Sequence, residues 1–505
     1  MEGSVVGVAL CFSSLFLCAS ASIRFSNVFG DNMVLQREPQ KAVVWGYSSP
    51  HDEVTVTCGN FRDSVMADDQ GEFSIALPAT HPGGPYTIMA ESKNGGDKAM
   101  LENVLFGDVF LCGGQSNMQF TVDSAFNASM EIAAADKYSD IRVMTVGEGT
   151  QSATPLSELK TIEQNWTVAN STSIGGGNWT YFSAVCWFFG RDLYDTYHIP
   201  IGLISNNWGG TPVQAWSSPD ALAKCNQTVE EDTLVDVEIP GTEVAVGANS
   251  NLWNAMIVPF LNMRIIGAIW YQGESNVGAG PQKGGAYYAC QFTAMIQDWR
   301  NKFHIENMYF GFMQLAPWRG GGNTQIAELR TGQEASLKLP MVGMASAVDY
   351  GDLTSPFGNI HPRPKQPVSL RLSATARALL YGEKLVYQGP MISSAHVNGN
   401  QVVVSFEPST LGSGLETKPA ACPQGLPPQF CMGFELQTSD QMWHPAQGTV
   451  QGNTVVVSMS TANAPFESST ASVIGVRYGY DDWPLCTIYN KEGYPAIPFS
   501  YSIHG

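Results

Sequence analysis

A single serine follows a glycine corner in segment 111–120, which reads LCGGQSNMQF. An apolar run leads into two glycines, and Ser116 comes one residue later. A serine at the tight turn that leaves a buried strand exposes its hydroxyl, and its own N–H can begin an oxyanion site. Serine is also a favoured residue at the start of a helix. This segment alone leaves Ser116 open as either a nucleophile or a helix cap.

A histidine in a second segment decides between these two roles. Acyl transfer by a serine needs a base whose pKa lies near the working pH, and the chain has eight histidines. His361 lies in a loop rich in glycine, proline and aspartate, directly before Pro362 and an apolar helical stretch. The other seven lie in expected turns, at helix ends or near the terminus, as surface histidines do. We therefore interpret His361 as a general base and Ser116 as its nucleophile.

Two further glycine-flanked corners can supply oxyanion donors. They read NNWGGT (206–211) and QGESN (272–276). The N–H of Gly209 or Gly210 and a side-chain amide near QGESN are the candidate donors. Either corner alone is also compatible with an ordinary tight turn. Their joint occurrence after successive apolar runs is the stronger signal.

These corners need a scaffold that brings them to one edge. Five apolar runs have the character of buried strands: GDVFLCG, IPIGLISNN, IIGAIWYQ, YFGFMQLA and MVGMASA. They alternate with helical stretches, which read SAVCWFFGRDLYDTYH, YYACQFTAMIQDWRNKF and KQPVSLRLSATARALLYG. Strand and helix repeated in this way predict an α/β fold, a parallel sheet with helices on both faces. Ligands of such sheets bind at the carboxyl ends of the strands.

The regions on either side of this α/β pattern consist of short β-type runs between turn signals. We predict a signal peptide at residues 1–21, because an apolar stretch ends in Ala19, Ser20 and Ala21, although its start carries Glu2 and no Lys or Arg. An N-terminal β-sandwich-like domain then spans 22–105 and the α/β domain 106–385. A C-terminal β-sandwich-like domain spans 386–505.

Export also agrees with the sequons and cysteines. Asn-x-Ser/Thr sequons, which indicate surface glycosylation, begin at Asn127, Asn165, Asn170, Asn178 and Asn226. Eight cysteines follow the signal segment, and Cys422 and Cys431, which flank a proline-rich loop, are the expected disulfide pair. Their spacing is not that of a zinc site, so we expect no metal and no cofactor. The predicted location is the secretory pathway, lysosomal or secreted.

The overall charge excludes one class of partner. A net charge of −19 without clustered Lys and Arg argues against nucleic acid. No later stretch approaches the ~20 uncharged apolar residues of a membrane span. The oligomeric state is not legible in the sequence.

The blocks GQSNM, SNNWGGT, WYQGESN and NIHP, in this order, resemble the serine esterases of the SGNH (GDSL-type) hydrolase group. The closest resemblance is to the sialate O-acetylesterase family, and it covers nearly the whole chain after the signal segment. It implies hydrolysis of O-acetyl esters on sialic acids, mainly on the glycerol side chain, without a metal. Block by block, it implies Ser116 as nucleophile, His361 as base, Gly210 as oxyanion N–H, Gln272 as amide donor and Glu274 as a structural or substrate-orienting carboxylate.

The chain departs from the SGNH pattern at one position. The pattern places an Asp three residues before the histidine, where this chain has Gly358. Asp352 is the first candidate to orient the imidazole, Asp349 is the second, and a backbone carbonyl that leaves a dyad is the third.

The substrate remains open in one respect. Sialic acid is an anion, so we expect a cation near the site, and Arg319 and Arg363 are candidates from their loop positions.

The nearest alternative function is an acetylesterase of other acetylated sugars. A non-catalytic glycan-binding protein is the alternative from another class, and the presence of both Ser116 and His361 argues against it.

Overall fold

The computed structural model describes residues 22–149, 151–177, 179, 181–225, 247–320, 324–427, 431–459 and 472–503. The expected signal peptide and the sequon residues Asn178 and Asn226 lie outside these ranges. Within them, no helix is both long enough and apolar enough to cross a membrane.

Strands provide most of the architecture, and they are numbered here in chain order. They are β1 (Arg24–Phe25), β2 (Val34–Gln36), β3 (Val43–Tyr47), β4 (Glu53–Cys58), β5 (Phe61–Met66), β6 (Glu72–Ala76), β7 (Gly83–Ser92), β8 (Lys98–Gly114), β9 (Ile141–Val146), β10 (Ile162–Val168), β11 (Ile201–Asn207), β12 (Gly267–Tyr271), β13 (Tyr309–Gln314), β14 (Val342–Ser346), β15 (Ile392–Asn398), β16 (Gln401–Phe406), β17 (Leu415–Thr417), β18 (Phe434–Thr438), β19 (Trp443–Gln451), β20 (Thr454–Met459), β21 (Val473–Tyr478), β22 (Ile488–Asn490) and β23 (Phe499–Ser502).

The helices belong to the middle of the chain. They are α1 (Ser116–Gln119), α2 (Ala128–Ala134), α3 (Ser171–Ile174), α4 (Ala184–Tyr197), α5 (Pro219–Ala223), α6 (Gly284–Lys302), α7 (Gln325–Glu334) and α8 (Lys365–Leu379). Helix α4 begins where the sequence predicts it, because the Ser183 hydroxyl accepts a hydrogen bond from the Cys186 N–H and caps the first turn.

The central sheet confirms the predicted α/β fold. Its strand order is β10-β9-β11-β8-β12-β13-β14, and all neighbours are parallel except β10 and β9. Strands β9, β11, β12, β13 and β14 are buried along their whole length, as expected for a parallel sheet covered on both faces. Strand β8 lies between β11 and β12, so the strand order reverses beside it. Such a switch point is where ligands bind in open α/β sheets.

Helices cover the two faces of this sheet. Side chains alternate along β13, so that Phe310 and Phe312 contact Phe292 of α6, while Gly311 packs against Leu372 of α8 on the other face. Helix α4 packs with α8, and α6 packs with α5 and α7. These layers hold the carboxyl ends of β8, β11 and β12 side by side.

The N-terminal β region forms two sheets, one of β1, β3 and β6 and one in which β2, β4, β5 and β7 extend from β8. Strand β8 crosses the domain boundary expected at 105/106 without a break. One hydrophobic cluster includes buried residues of both regions, such as Val56 and Ile204. The N-terminal β region is therefore packed against the sheet that carries the site.

The C-terminal region has its own core, which includes Val404, Leu436 and Val457. Its antiparallel sheet has the order β15-β16-β20-β19-β18-β21-β23, and β17 pairs with β22. The two edge strands, β15 and β23, are in contact, so the sheet curls almost into a barrel. This arrangement differs from the expected sandwich, because one curved sheet surrounds the core instead of two flat sheets facing each other.

The disulfides differ from the predicted pair. Cys112 of β8 is bonded to Cys186 of α4, and Cys225 is bonded to Cys290 of α6. Cys422 and Cys431 are free thiols whose side chains are in hydrogen-bond contact, so the prediction of a bond between them is wrong. Pairing follows from which helix packs on which strand, and closeness in sequence does not reveal it.

Candidate active site

The nucleophile candidate stands at the corner between β8 and α1. Gly114 ends the strand with a φ of 141°, and a Cβ at this position would lie 2.2 Å from the Tyr271 carbonyl oxygen. Only glycine permits this turn beside β12. Gln115 occupies the cap position of α1 and Ser116 is the first helical residue. The hydroxyl of Ser116 is thus presented at the carboxyl edge of the sheet, and Ser116 is not the cap residue.

His361 reaches this hydroxyl from the loop between β14 and α8. Its Nε2 lies 2.8 Å from Ser116 Oγ, and its Nδ1 lies 2.7 Å from the Phe357 carbonyl oxygen. A carbonyl only accepts, so Nδ1 carries the proton and Nε2 is free to accept the hydroxyl proton. Burial lowers the pKa of His361, the Phe357 carbonyl raises it in part, and the Lys365 cation lowers it further. The imidazole is therefore held neutral, in the tautomer that a base requires.

Neither aspartate expected to orient His361 contacts it. Asp352 receives two hydrogen bonds from the Arg363 guanidinium, from Nε at 2.6 Å and from NH2 at 3.0 Å. Asp349 is paired in the same bidentate way with Arg371. The expectation for Asp352 is therefore corrected, because an arginine occupies its oxygens. The third alternative, a backbone carbonyl behind a Ser–His dyad, describes the observed geometry.

Two residues of the cavity wall have backbone N–H groups that are candidates for an oxyanion site. Ser116 and Gly210 both line the cavity described below, and neither N–H donates to an acceptor within the described ranges. Gly209 is different, because its N–H donates to Gln119 Oε1 at 2.8 Å. Gly210 is thus the free donor of the WGGT corner, and Gly209 anchors that corner to α1.

The expected amide donor Gln272 lies behind the site. Its Nε2 donates to Asn276 Oδ1 at 2.8 Å, and it also contacts Gln115 Oε1 and the Thr211 carbonyl oxygen. Gln272 is fully buried and does not line the cavity, so we correct its assignment. Its position suits a residue that ties three loops together.

Gln115 occupies the position that Gln272 was expected to fill. Its Oε1 accepts from Gln272 Nε2 and from the N–H groups of Gly273 and Ser275. Three donors on one oxygen determine the orientation of this amide. The Nε2 group of Gln115, a residue that lines the cavity, therefore remains as a side-chain donor.

A buried polar chain lies beside the nucleophile. Asn117 Nδ2 donates to Glu274 Oε1 at 2.6 Å and to the Ile360 carbonyl oxygen at 2.9 Å. Lys365 Nζ donates to Asn117 Oδ1 at 2.5 Å. Burial raises the pKa of Glu274, and the Asn117 hydrogen bond and the Lys365 cation oppose that rise. Glu274 is 8% exposed, and its Oε2 has no hydrogen-bond partner within the described residues.

A cavity of about 540 Å³ opens over the serine and the histidine. This volume is in the range of small-molecule sites. Trp179 forms one wall, with its ring edge-on to the imidazole at 4.9 Å between centroids. The residues that line the cavity are Gln115, Ser116, Gln119, Glu148, Trp179, Gly209, Gly210, Glu274, Ser275, Ile360 and His361.

The cavity contains no cationic side chain. All 26 Lys and Arg residues of the chain lie within the described ranges, and none lines this cavity. Arg363 is held by Asp352, and its guanidinium lies over the exposed ring of Phe126. Arg319 is exposed outside the lining set, and its backbone N–H donates to Asn359 Oδ1. The two arginines named from the sequence therefore do not face the reacting groups.

Sequence reasoning missed four contributors to this site. Gln115 and Asn117 stand on either side of Ser116 in the motif itself, so their position was a usable signal. Lys365 follows His361 by four residues and lies three residues beyond the end of the NIHP block. No signal pointed to Trp179.

Residues 106–370 match a protein family described as carbohydrate esterase, sialic acid-specific acetylesterase. Three proteins named sialate O-acetylesterase, from Pongo abelii, Mus musculus and Homo sapiens, are each 34% identical to the chain. These alignments cover 98% of the chain and 96%, 98% and 96% of the relatives.

A solved structure is similar over nearly the whole length. It is a carbohydrate acetylesterase from Xanthomonas citri with a TM-score of 0.79 and 30% sequence identity. The match covers 95% of this chain and 99% of that one.

Proposed function

The chain belongs to the sialate O-acetylesterase family and hydrolyses O-acetyl esters of sialic acids, and we propose that it does so with Ser116 as nucleophile and His361 as general base. One observation carries the assignment. His361 Nε2 lies 2.8 Å from Ser116 Oγ, at the switch point of the sheet and on the wall of the cavity.

The first half of the reaction acetylates the serine. His361 Nε2 takes the proton of Ser116 as Oγ bonds to the acetyl carbonyl carbon, and the carbonyl oxygen becomes an oxyanion. The N–H groups of Ser116 and Gly210 and the Nε2 group of Gln115 are the proposed donors to it. The bond from carbon to the sugar oxygen then breaks, and the sugar leaves with the proton from the imidazolium.

The second half returns the enzyme to its starting state. Water gives a proton to His361 Nε2 and its oxygen attacks the acetyl carbon. Ser116 Oγ leaves with that proton, and acetic acid is released, which ionises to acetate in water. The Phe357 carbonyl accepts from Nδ1 throughout, so the imidazolium is stabilised by a neutral dipole and not by a carboxylate.

Glu274 is the proposed contact for the sugar. Its free Oε2 belongs to a buried side chain of the cavity wall, where an unpaired acceptor costs free energy. Oε2 itself is closed off from solvent, so a hydroxyl or amide N–H of the substrate would remove this cost only after a small movement of the Glu274 side chain. Sugars carry such donors next to the acetylated carbon.

Acetate release from O-acetylated sialic acid by the purified protein tests these roles. Ser116→Ala and His361→Ala should each lose nearly all activity, while Ser394→Ala and His396→Ala, exposed positions on β15, should retain it. A Ser116→Ala variant that keeps its rate would refute the serine mechanism.

A second substrate class is favoured by the charge of the cavity. Its ionisable lining residues other than His361 are the carboxylates Glu148 and Glu274, which suit neutral O-acetylated sugars better than an anion. The test compares an O-acetylated sialoside with its uncharged C1 carboxamide and with an O-acetylated neutral hexoside. Repulsion across ~10 Å of water is worth ~0.4 kcal/mol for each carboxylate, so the two together predict a preference of about fourfold for the carboxamide. Glu148→Gln should lower this preference about twofold, because Glu274 remains, and Glu306→Gln, an exposed control, should leave it unchanged. A preference for the acid would rule this class out.

The proposed location is lysosomal or secreted. Two disulfides in the described residues are compatible with the secretory pathway. The exposure of Asn127 and Asn165 supports glycosylation there, whereas the amide of Asn170 caps α3 and is half-buried. Glycosidase treatment of the protein from its natural source, followed by peptide mapping, tests this proposal.

A further inference from the structure

Lys365 is a buried cation that the mechanism above does not use. It is the first residue of α8 and only 1% exposed. Its Nζ donates to Asn117 Oδ1 and lies over the rings of Phe120 and Tyr271, at 4.7 and 5.3 Å from their centroids. No carboxylate of the described chain lies within ion-pair distance of it. Removing an ammonium group from water costs free energy, and this cost is incurred directly beside the active site.

Asn117 connects Lys365 to the reacting groups. It directly follows Ser116 in the chain, and its Nδ2 donates to the carbonyl oxygen of Ile360, the residue before His361. The same Nδ2 donates to Glu274 Oε1. One amide therefore joins the segment that carries the nucleophile, the loop that carries the base and the carboxylate of the cavity.

The orientation of this amide is decided by Lys365. An ammonium group has three donors and no acceptor, so the oxygen of Asn117 must face it. The nitrogen then faces Ile360 O and Glu274 Oε1, which are both acceptors. With an apolar side chain at 365, the oxygen of Asn117 would lose its only described side-chain donor, and the flipped amide would place that oxygen against two other oxygens.

We propose that Lys365 is a positioning residue of the esterase, which fixes the Asn117 amide and thereby holds the Ser116 segment against the His361 loop and Glu274. This proposal rests on the roles of Ser116 and His361 proposed above. Lys365 acts through Asn117 and does not touch the substrate.

The charge of Lys365 gives the proposal a second readout. The charged or titratable groups that face it are Glu274, Asp352, His361 and Tyr271. Burial lowers the pKa of Lys365 to about 7, and the two carboxylates oppose this shift. The Lys365 cation lowers the pKa of His361. Its removal should therefore move the acid limb of the rate profile to higher pH, and a residue that only fills space would not have this effect.

Lys365→Met keeps the length of the side chain and removes the donors. We expect kcat to fall about thirtyfold, in line with the sensitivity of catalysis to misplacement by ~1 Å, with KM changed less than kcat. The acid limb should rise in pH, and Lys365→Arg should recover part of kcat because it keeps the donors. Lys338→Met, an exposed position at the other edge of the sheet, is the matched control.

A double-mutant cycle with Asn117→Ala tests the route. Lys365 is proposed to act through Asn117, so the two substitutions should not add. The kcat of the double variant should lie within about twofold of the kcat of the less active single variant. Losses that multiply, an unchanged kcat for Lys365→Met, or a control that loses as much would overturn the proposal. Thermal unfolding of each variant shows whether it is folded.

Asn117→Asp keeps the test decisive if Lys365→Met does not fold. Aspartate gives Lys365 an ion-pair partner but cannot donate to Ile360 O or Glu274. Its second oxygen would face the Ile360 carbonyl and Glu274 Oε1, so we expect a lower melting temperature and kcat reduced as far as in Asn117→Ala, whereas near-normal activity would overturn the proposal. All variants are also assayed on p-nitrophenyl acetate, so that a failure on sialic acid alone counts against the proposed substrate and not against Lys365.

Discussion

Replacement of Asp352 by asparagine separates a catalytic triad from the observed dyad. Asp352 is the carboxylate closest to His361 in the sequence loop, and in a triad it would orient the imidazole. In the structure its oxygens accept from Arg363 and Thr354, and the Phe357 carbonyl accepts from His361 Nδ1. The substitution therefore removes no contact of the imidazole.

The expected size of the effect follows from these contacts. Loss of the orienting carboxylate from a Ser-His-Asp triad costs about ten-thousandfold in kcat, or ~5.5 kcal/mol. Asp352→Asn can act on His361 only indirectly, through Arg363, through Thr354 or through the charge of Lys365. The amide at position 352 can still accept one hydrogen bond from the guanidinium. We therefore expect kcat to fall by less than about fivefold, or ~1 kcal/mol.

The assay is acetate release under saturating substrate, with Asp349→Asn and Ser116→Ala measured alongside. Thermal unfolding is followed in parallel, because both aspartates pair with arginines. Loss of either aspartate should lower the melting temperature while kcat changes little. A loss of a thousandfold or more in folded Asp352→Asn would refute the dyad.

Three further predictions follow from the site. The pKa of His361 is lowered, mainly by burial, so the acid limb of kcat/KM should lie below pH ~6.5. A limb above that value would contradict the buried, neutral imidazole described here. Glu274→Gln should raise KM about tenfold, because the amide would turn its NH2 group toward the donor of the sugar. Steady-state kinetics measure this change, and a deoxy analogue of the substrate shows whether the sugar hydroxyl is the partner. Gly114→Ala should lower the free energy of unfolding by about 1–3 kcal/mol from backbone strain alone, and it should abolish activity. Urea unfolding measures the first effect, and Gly96→Ala is the control that shows whether it is specific to this turn.

The pH dependence of stability has a defined sign at His361. Because its folded pKa lies below the unfolded value, the unfolded chain binds more protons once the pH falls below ~6.5. The free energy of unfolding should therefore decrease as the pH falls through that value. Asp352 acts in the same direction at lower pH. Burial alone would raise its pKa, but the hydrogen bonds from Arg363 and Thr354 lower it, so its contribution is lost as the pH falls below ~4.

Much of the α/β domain was predictable, because the hydrophobic pattern and the turn residues of each segment indicate the same element that the structure contains. Strands β11, β12, β13 and β14 and helices α4 and α8 lie within the stretches named from the sequence. Strand β8 and helix α6 overlap their stretches but begin earlier, at Lys98 and Gly284. Each is a buried apolar run or an amphipathic helix with clear ends, so periodicity alone identifies it. Strand β9 was missed, although all six of its residues are buried, since its run is short and mixed with Arg142 and Thr145.

The polar interior of the site was less predictable, because it depends on partners that are distant in sequence. Gln272 and Gln115 both stand at glycine corners, and only the contact between them shows that one amide supports the other. Asp352 was assigned by its nearness to His361 in the chain, while Arg363 competes for the same oxygens at 2.6 Å. Charge pairing of this kind is a tertiary property, and loop spacing does not encode it.

The residue that departs from the SGNH pattern explains why a carbonyl replaces the aspartate. Gly358 has a φ of 85°, a conformation that strains any side chain with a Cβ. The His361 N–H donates to the Gly358 carbonyl, and this tight turn folds the loop so that the Phe357 carbonyl meets Nδ1 of the imidazole. An aspartate at 358 would work against the turn that positions this acceptor. The conformation of this loop therefore favours the Phe357 carbonyl over an aspartate as the acceptor that orients His361. Gly358 is the residue of the sequence that indicates this choice.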